Sequence, residues 1–365
     1  MKKKNILHLV EYLYLGGIER LLEQLAVNSQ DKVNLHFFTY ETVELKGIGK
    51  TISDKGFPVY TYKKKAGRDW QLIDELIKII KEKKIDVLHT HDFGPVEYAV
   101  ILKMRFPKLK LVHTQHTIIH FIRHKKYTRF FQFASHFYNK IIGVSEFVKQ
   151  TLLDYCPLMK KRALIVIPNG VDTDFFDPKN AVKKSADVKL SLVSVARISP
   201  EKNLAYILNT CRLLKLEGIP FTFHHAGTSK KIEDTVKWEE YIKEHNLTNE
   251  VYLHGFTEDI KGILDYGDIF VNASKTEGHP VAVLEAMSYE KLCFCSDIAP
   301  HRELTRDAIK FFDINDEKNL LDQLRNYHNS DNFLPLKNSM GKLARQEVLA
   351  RFSIAKMVNS YVEQY

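Results

Sequence analysis

Hydrophobic positions along this chain fall into two alternating kinds of segment. Short runs of neighbouring apolar residues occur at 5–10 (NILHLV), 34–40 (NLHFFTY), 86–91 (DVLHTH), 110–116 (KLVHTQH), 140–145 (KIIGVS) and 164–170 (LIVIPNG). Between them lie longer stretches with apolar residues at helical spacing, such as WQLIDELIKIIKEKK at 70–84. The scheme repeats with LSLVSVAR (190–197), FTFHHAG (221–227), VYLHGF (251–256), IFVNAS (269–274), LCFCSD (292–297) and IKFFD (309–313). Continuous apolar runs, each followed by a helix, predict parallel strands buried on both faces. Two such series predict two doubly wound α/β domains. The turn-rich, charged stretch 167–189 is the expected boundary, and FSIAKMVNSYVEQY at 352–365 reads as a terminal amphipathic helix.

Length agrees, because 365 residues exceed what one compact core accommodates. An apolar fraction of 44% and a charged fraction of 27% are ordinary for a soluble globular protein. No run reaches the ~18 apolar residues of a transmembrane helix. The leading MKKKNILHLVEY carries His8 and Glu11 within its apolar part and reads as a first strand rather than a signal peptide. Four unpatterned cysteines suggest a reducing, cytoplasmic environment. Cys293 and Cys295 are expected to point to opposite faces of their strand and so to be poor metal partners. The net charge of +9 is unevenly spread. Residues 1–172 hold 29 Lys and Arg against 17 Asp and Glu (+12), and the remainder 25 against 28 (−3), which suggests an anionic partner for the first half.

Ligands of open α/β sheets bind beyond the carboxyl ends of the strands. There the chain places Gly16-Gly17, a turn that lets a ligand approach the backbone and exposes helix amides to an anion. It is not the G-x-G-x-x-G of nicotinamide binding. His116 ends one strand. Arg197 and Lys202 lie beyond another, two cations suited to a diphosphate. Asp172-Thr173-Asp174 forms D-x-D, a pattern that can hold a divalent ion, although capping and turn chemistry suffice for it here. In SKTEGHPVAVLEAM (274–287), Pro280 suits a first helical turn, leaving the amides of Val281 and Ala282 free to meet a phosphate. Glu277 then stands at the helix mouth and Glu285 inside it, with backbones ~12 Å apart by helical rise. Carboxylate pairs that attack one glycosidic bond have carboxyl groups ~5–9.5 Å apart. The wider spacing suits two ends of an extended ligand.

Together, LGGIERLLEQLA, VIPNGVDTDFF, VARISPEKN, VYLHGF and SKTEGHPVAVLEAM resemble the retaining GT-B glycosyltransferases of family 4 over nearly the whole chain. The E-x7-E spacing of Glu277 and Glu285 is the specific signal. The resemblance implies a GT-B fold: two Rossmann-like domains facing across a cleft, residues 1–172 with 350–365 binding the acceptor and 173–349 the nucleotide sugar. It implies that Glu277 contacts the transferred sugar and Glu285 the ribose hydroxyls. Arg197, Lys202 and the amides after Pro280 would hold the diphosphate, with Gly278 and His279 in the same loop. Gly16-Gly17 would lie near the phosphates, His116 at the reaction centre, and Gly255-Phe256 against the nucleobase. No cofactor and no metal are expected. The implied activity is retaining transfer of a hexose or N-acetylhexosamine, from a donor taken as UDP-linked on family frequency, to a lipid-linked or saccharide acceptor in bacterial surface polysaccharide synthesis. Two places depart from the family: Glu290-Lys291-Leu292-Cys293 replaces a Gly-x-Pro-Val pattern, and Ala299-Pro300-His301-Arg302-Glu303 replaces a Gly-Gly-x-x-Glu loop expected near the donor sugar. A nucleotide-sugar epimerase on the same architecture, or an inactive nucleotide-sugar-binding or membrane-surface protein, are the alternatives.

One segment of the basic half interleaves Arg123, Lys125, Lys126 and Arg129 with six aromatics between Phe121 and Phe137. A core could hide these aromatics. As an amphipathic helix the segment would suit an anionic membrane surface, with nucleic acid disfavoured by the donor machinery. The expected location is therefore cytoplasmic, at the inner face of the membrane.

Overall fold

The six apolar runs of the first half become strands β1 (Asn5–Val10), β2 (Asn34–Thr39), β5 (Val87–His91), β6 (Lys110–Gln115), β7 (Lys140–Gly143) and β8 (Leu164–Val166). Two strands escaped the hydrophobic pattern, β3 (Glu41–Thr42) and β4 (Val59–Lys63), because neither buries a continuous apolar run. The computed structural model describes residues 3–14, 16–119, 121, 125–182, 188–229 and 231–365. Its residues group into two compact units, Met1–Gly170 with Ile354–Tyr365, and Val171–Ser353.

In the first unit the strand order is β3-β4-β2-β1-β5-β6-β7-β8, parallel except for the β3–β4 pair. The register of β1 on β5 sets Ile6 against Val87 and Leu7 against Leu88. Residues alternate across the sheet: Leu7, Leu88, Leu111 and Ile141 face one apolar cluster, while Ile6, Val87, Val112 and Ile142 face the other. Helices Trp70–Glu82, Val96–Arg105 and Glu146–Tyr155 cover the first cluster. Helices Gly17–Asn28 and Ile354–Glu363 cover the second. Burial on both faces is why these strands carry continuous apolar runs.

The second unit is a six-stranded parallel sheet of β9 (Leu190–Val195), β10 (Phe221–Ala226), β11 (Val251–Leu253), β12 (Ile269–Asn272), β13 (Leu292–Ser296) and β14 (Ile309–Phe312), in the order β11-β10-β9-β12-β13-β14. Cys293 and Cys295 both lie in the cluster under helices Val281–Ser288 and Phe333–Arg351. This corrects the expectation of opposite faces, since residues two apart on a strand share a face. Burial raises both thiols, so they behave as small apolar side chains. Among the described residues no helix is long and apolar enough to cross a membrane.

The basic-aromatic segment forms the helix Lys125–Ala134. Lys125, Lys126 and Arg129 are exposed, while Arg123 lies outside the described residues. The aromatic side is not free, because Phe121 and Phe131 are fully buried and Phe130 and Phe137 pack against the same core. Only Phe133, at 59% exposure, stands out among the segment's described phenylalanines. Covering the sheet consumes the apolar face that a membrane would need.

Candidate functional site

In the second unit, β9 and β12 are neighbours at the centre of the sheet, so their exit loops emerge side by side. The β9 exit carries Arg197 and Lys202, and the β12 exit carries Ser274 and Glu277. Lys202 Nζ lies 2.5 Å from Glu277 Oε1, and the Ser274 hydroxyl donates to the same oxygen at 2.7 Å. Burial pushes the Glu277 carboxyl up, but the charge and hydrogen bond of Lys202, with the Ser274 hydroxyl, outweigh it and hold the group below the ordinary glutamate range. Glu277 is therefore an oriented carboxylate, mostly withdrawn from water. The two cations are not equivalent. Lys202 is engaged by Glu277, whereas Arg197 is exposed and has no ion-pair partner among the described residues.

Beyond Glu277 the helix begins at Val281, with Pro280 one residue earlier than expected, as the cap. Val281 and Ala282 are its first residues, so their amides have no helical acceptor one turn back. Glu285 is buried at 5% exposure within this helix. Gly278 is half-buried in the loop, while His279 turns inward against Phe352, ring centroids 5.3 Å apart, and burial keeps it neutral. The exits of β9, β10 and β11 crowd together nearby. Gly227, at φ 140°, approaches so closely that a Cβ there would stand 1.8 Å from the Ala196 carbonyl oxygen. Its amide donates to the Gly255 carbonyl at 2.7 Å. Gly255 also has a positive φ, 68°, and Phe256 beside it is 50% exposed.

In the first unit His116 is one member of a buried chain of imidazoles. Its Nε2 lies 3.0 Å from His91 Nδ1, and His91 Nε2 lies 2.9 Å from His8 Nδ1. The Tyr365 hydroxyl meets His8 Nε2 at 3.4 Å and His89 Nδ1 at 2.8 Å, and His89 Nε2 meets the Thr114 hydroxyl at 2.8 Å. Burial lowers all four histidines, His8 and His116 to about 3, so the rings are neutral. A neutral imidazole has one N–H and one lone pair. The chain is satisfied when every donor points the same way, which ties the tautomer of His116 to those of its neighbours. His8, His89 and His91 each have a ring nitrogen within 4.8 Å of the others, the set among the described residues that could hold a metal ion. Binding one would cost the ring–ring hydrogen bonds. The D-x-D aspartates do not form such a set. Asp172 Oδ1 accepts from the amides of Asp174 (3.1 Å) and Phe175 (2.9 Å), which is turn chemistry.

His91 also borders a cavity of about 240 Å³ lined by Glu11, Tyr12, Glu19, Asp92, Phe93 and Tyr127, among others. Asp92, in the left-handed region at φ 54°, receives Gln115 Nε2 at 2.9 Å and the amides of His116 (2.8 Å) and Thr117 (3.2 Å) on one oxygen. Burial pushes its pKa to about 7, with Glu19 and Glu11 adding to the rise against the amides. Gly16 and Gly17 are exposed at the start of their helix, and Glu19 Oε2 lies 2.5 Å from where a Gly16 Cβ would stand. A carboxylate thus stands beside Gly16. Sequence reasoning named His116 but missed Ser274, Asp92, Glu11 and the linkage of His116 to the other histidines. All stand at or near strand exits, which was the available signal.

The chain matches the family described as Glycosyltransferase Family 4 over residues 15–175 and the one described as Glycosyl transferases group 1 over residues 176–347. It is 26% identical, over 82% of its length and 79% of the relative's, to the UDP-Gal:alpha-D-GlcNAc-diphosphoundecaprenol alpha-1,3-galactosyltransferase of Escherichia coli. A putative glycosyltransferase EpsF of Bacillus subtilis is 31% identical over 38% of this chain and 37% of that one. Among solved structures, a glycosyltransferase of Rickettsia africae superposes with a TM-score of 0.85 at 20% identity, covering 100% of this chain and 98% of the other. Anabaena HepE, solved in complex with UDP and glucose, gives 0.82 at 15% identity, covering 98% of both. With two parallel-sheet α/β units and matches spanning nearly all of its length, the chain belongs to the GT-B glycosyltransferases of family 4 and group 1.

Proposed function

We propose that this chain is a retaining, metal-independent hexosyltransferase. It moves a hexose or N-acetylhexosamine from a UDP-sugar to a lipid-linked or saccharide acceptor in bacterial surface polysaccharide synthesis. The observation that carries this reading is the Lys202–Glu277–Ser274 constellation directly ahead of the helix Val281–Ser288. A carboxylate held ionised among partners binds sugar hydroxyls well, and Arg197 with the helix amides suits a departing diphosphate. Glu277 positions the sugar, and the acceptor hydroxyl attacks from the side the diphosphate leaves. The Escherichia coli relative's name specifies a UDP-galactose donor and a lipid diphosphate acceptor, and the Anabaena structure holds UDP and glucose, which support the donor class. The carboxylate- and aromatic-lined cavity of the first unit suits the hydroxyl-rich end of an acceptor.

The test is incubation with labelled UDP-galactose, UDP-glucose and UDP-N-acetylglucosamine, with and without membrane lipid extract. Lipid-dependent transfer with retained anomeric configuration, insensitive to chelator, is the expected result. Lipid-independent isomerisation would point to an epimerase, and binding without turnover to an inactive protein. Lys125, Lys126 and Arg129 remain exposed, and each cation near an anionic leaflet contributes ~1 kcal/mol. Co-sedimentation with anionic liposomes should therefore fall with salt and with substitution of the three by Gln. Binding indifferent to both would remove the electrostatic docking.

A further inference from the structure

His301 sits in the short turn Ala299–Arg302 after β13 and is fully buried. Its two ring nitrogens are treated differently. Nδ1 lies 2.8 Å from the Ser296 carbonyl oxygen, which can only accept, so Nδ1 carries a proton. The Ser296 hydroxyl lies 3.2 Å from the same nitrogen and donates its own proton to the Ser274 carbonyl at 2.5 Å. It therefore offers His301 only a lone pair. Both neighbours demand the same tautomer. Burial lowers the pKa of the ring against the pull of Glu277, so the imidazole is neutral and Nε2 is a bare acceptor. That nitrogen is buried and has no hydrogen-bond partner among the described residues. Buried acceptors are rarely left so, and each such case calls for an explanation.

The surroundings supply one. His301 and Glu277 influence each other electrostatically, and Lys202 acts on both. A continuous polar path joins them: His301 to Ser296, Ser296 to Ser274, Ser274 to Glu277, Glu277 to Lys202. The histidine thus belongs to the same framework that orients the carboxylate.

We propose that His301 is a specificity-determining residue of the donor site, its Nε2 accepting a hydrogen bond from a free hydroxyl of the transferred sugar. This rests on the reading of Glu277 as the sugar-holding carboxylate. The chemistry restricts what can fill the position. An ionised diphosphate brings lone pairs only and cannot satisfy an acceptor. A carboxylate at that carbon is refused for the same reason, and a deoxy sugar leaves the nitrogen as it was. The uracil N–H and the ribose hydroxyls could also donate, but they are present in UDP alone, which makes UDP the discriminating control.

Binding of UDP, UDP-glucose, UDP-galactose and UDP-N-acetylglucosamine is measured by calorimetry on the unaltered chain and on His301→Phe and His301→Gln, with melting curves to confirm that both variants fold. Gln replaces the acceptor with its amide oxygen. For the UDP-sugar that binds tightest, His301→Phe should weaken binding ~10-fold, His301→Gln should recover most of the loss, and UDP should change less than about twofold in either. Among the deoxy analogues of that sugar, one for each free hydroxyl it carries, one should bind the unaltered chain and His301→Phe equally, identifying the hydroxyl. Equal losses for UDP and the UDP-sugar, no loss for the sugar, or the same loss with every deoxy analogue would each overturn the assignment while leaving the donor reading intact. Failure of the unaltered chain to bind any uridine nucleotide would overturn the donor reading, and this proposal with it.

Discussion

Replacing Lys202 with Met is expected to lower sugar transfer ~10²–10³-fold, the loss usual when one charge-stabilising group leaves an active site. Arg197→Ala should also depress transfer, but the two variants should differ in stability. Lys202 is bonded to Glu277 Oε1, and both side chains are largely buried, with exposures of 22% and 9%. Arg197 has no such partner among the described residues, so its loss should leave the melting temperature unchanged. The pH dependence gives the sign. The folded-state pKa of Glu277 lies below its ordinary value, so the group contributes stability that is present above the ordinary glutamate range and is lost as pH falls through the lowered value. Lys202→Met removes the cation and leaves burial, which favours the protonated acid. The gap in melting temperature between parent and variant should be widest near neutrality and should close as pH falls through the lowered value of Glu277. Lys202→Arg, which keeps the charge, should fall between. Transfer within about threefold of the parent in Lys202→Met would remove the lysine from the charge-stabilising role.

The fold was legible because its signal is burial. Twelve apolar runs predicted twelve strands, and each is present, since a strand covered on both faces draws apolar residues to successive positions. β3 and β4 were missed because the rim of the sheet is only half covered. The second-unit site was legible as residue types at strand exits, and Glu277 and Lys202 were named without any hint that they bind one another. That pairing depends on β9 and β12 lying side by side, a crossover that spacing along the chain does not encode. The order of neighbours also hid the histidine chain, in which β1, β5 and β6 each contribute rings that become consecutive only in space. Net charge left the place of recognition open in a different way. The basic first half suggested an anionic partner, yet its cavity is lined by Glu11, Glu19 and Asp92, while cations such as Lys125, Lys126 and Arg129 stand at the surface. Charge counting sums over a surface, and recognition is local. His301 was visible only as a departure from the family pattern, because its meaning depends on which backbone carbonyl its Nδ1 finds.

Glu285→Gln should weaken UDP binding ~10- to 100-fold, the ~1.5–3 kcal/mol of a hydrogen bond to a charged group, while Glu277→Gln changes UDP affinity little and lowers turnover instead. The separation of effects follows from where the helix Val281–Ser288 puts the two carboxylates. Glu277 precedes it, on the exit loop of β12, where its carboxylate is bonded to Lys202 and Ser274. Glu285 is its fifth residue, 5% exposed, between buried Leu284 and Ala286. A carboxylate is seldom buried so far without a polar function, since removing it from water is costly. Vicinal ribose hydroxyls, which give two donors to one carboxylate, match what an ionised acid in that position can accept. Gln keeps the shape and one acceptor and loses the charge, so the helix should survive and the melting temperature of the free protein should move little. Calorimetric titration of UDP into both variants, alongside turnover with the preferred UDP-sugar, reads the two effects separately. Unchanged UDP affinity in Glu285→Gln would end its assignment to the ribose. A loss of UDP affinity in Glu277→Gln equal to that in Glu285→Gln would mean that both carboxylates serve the nucleotide, and that the sugar is held by other groups.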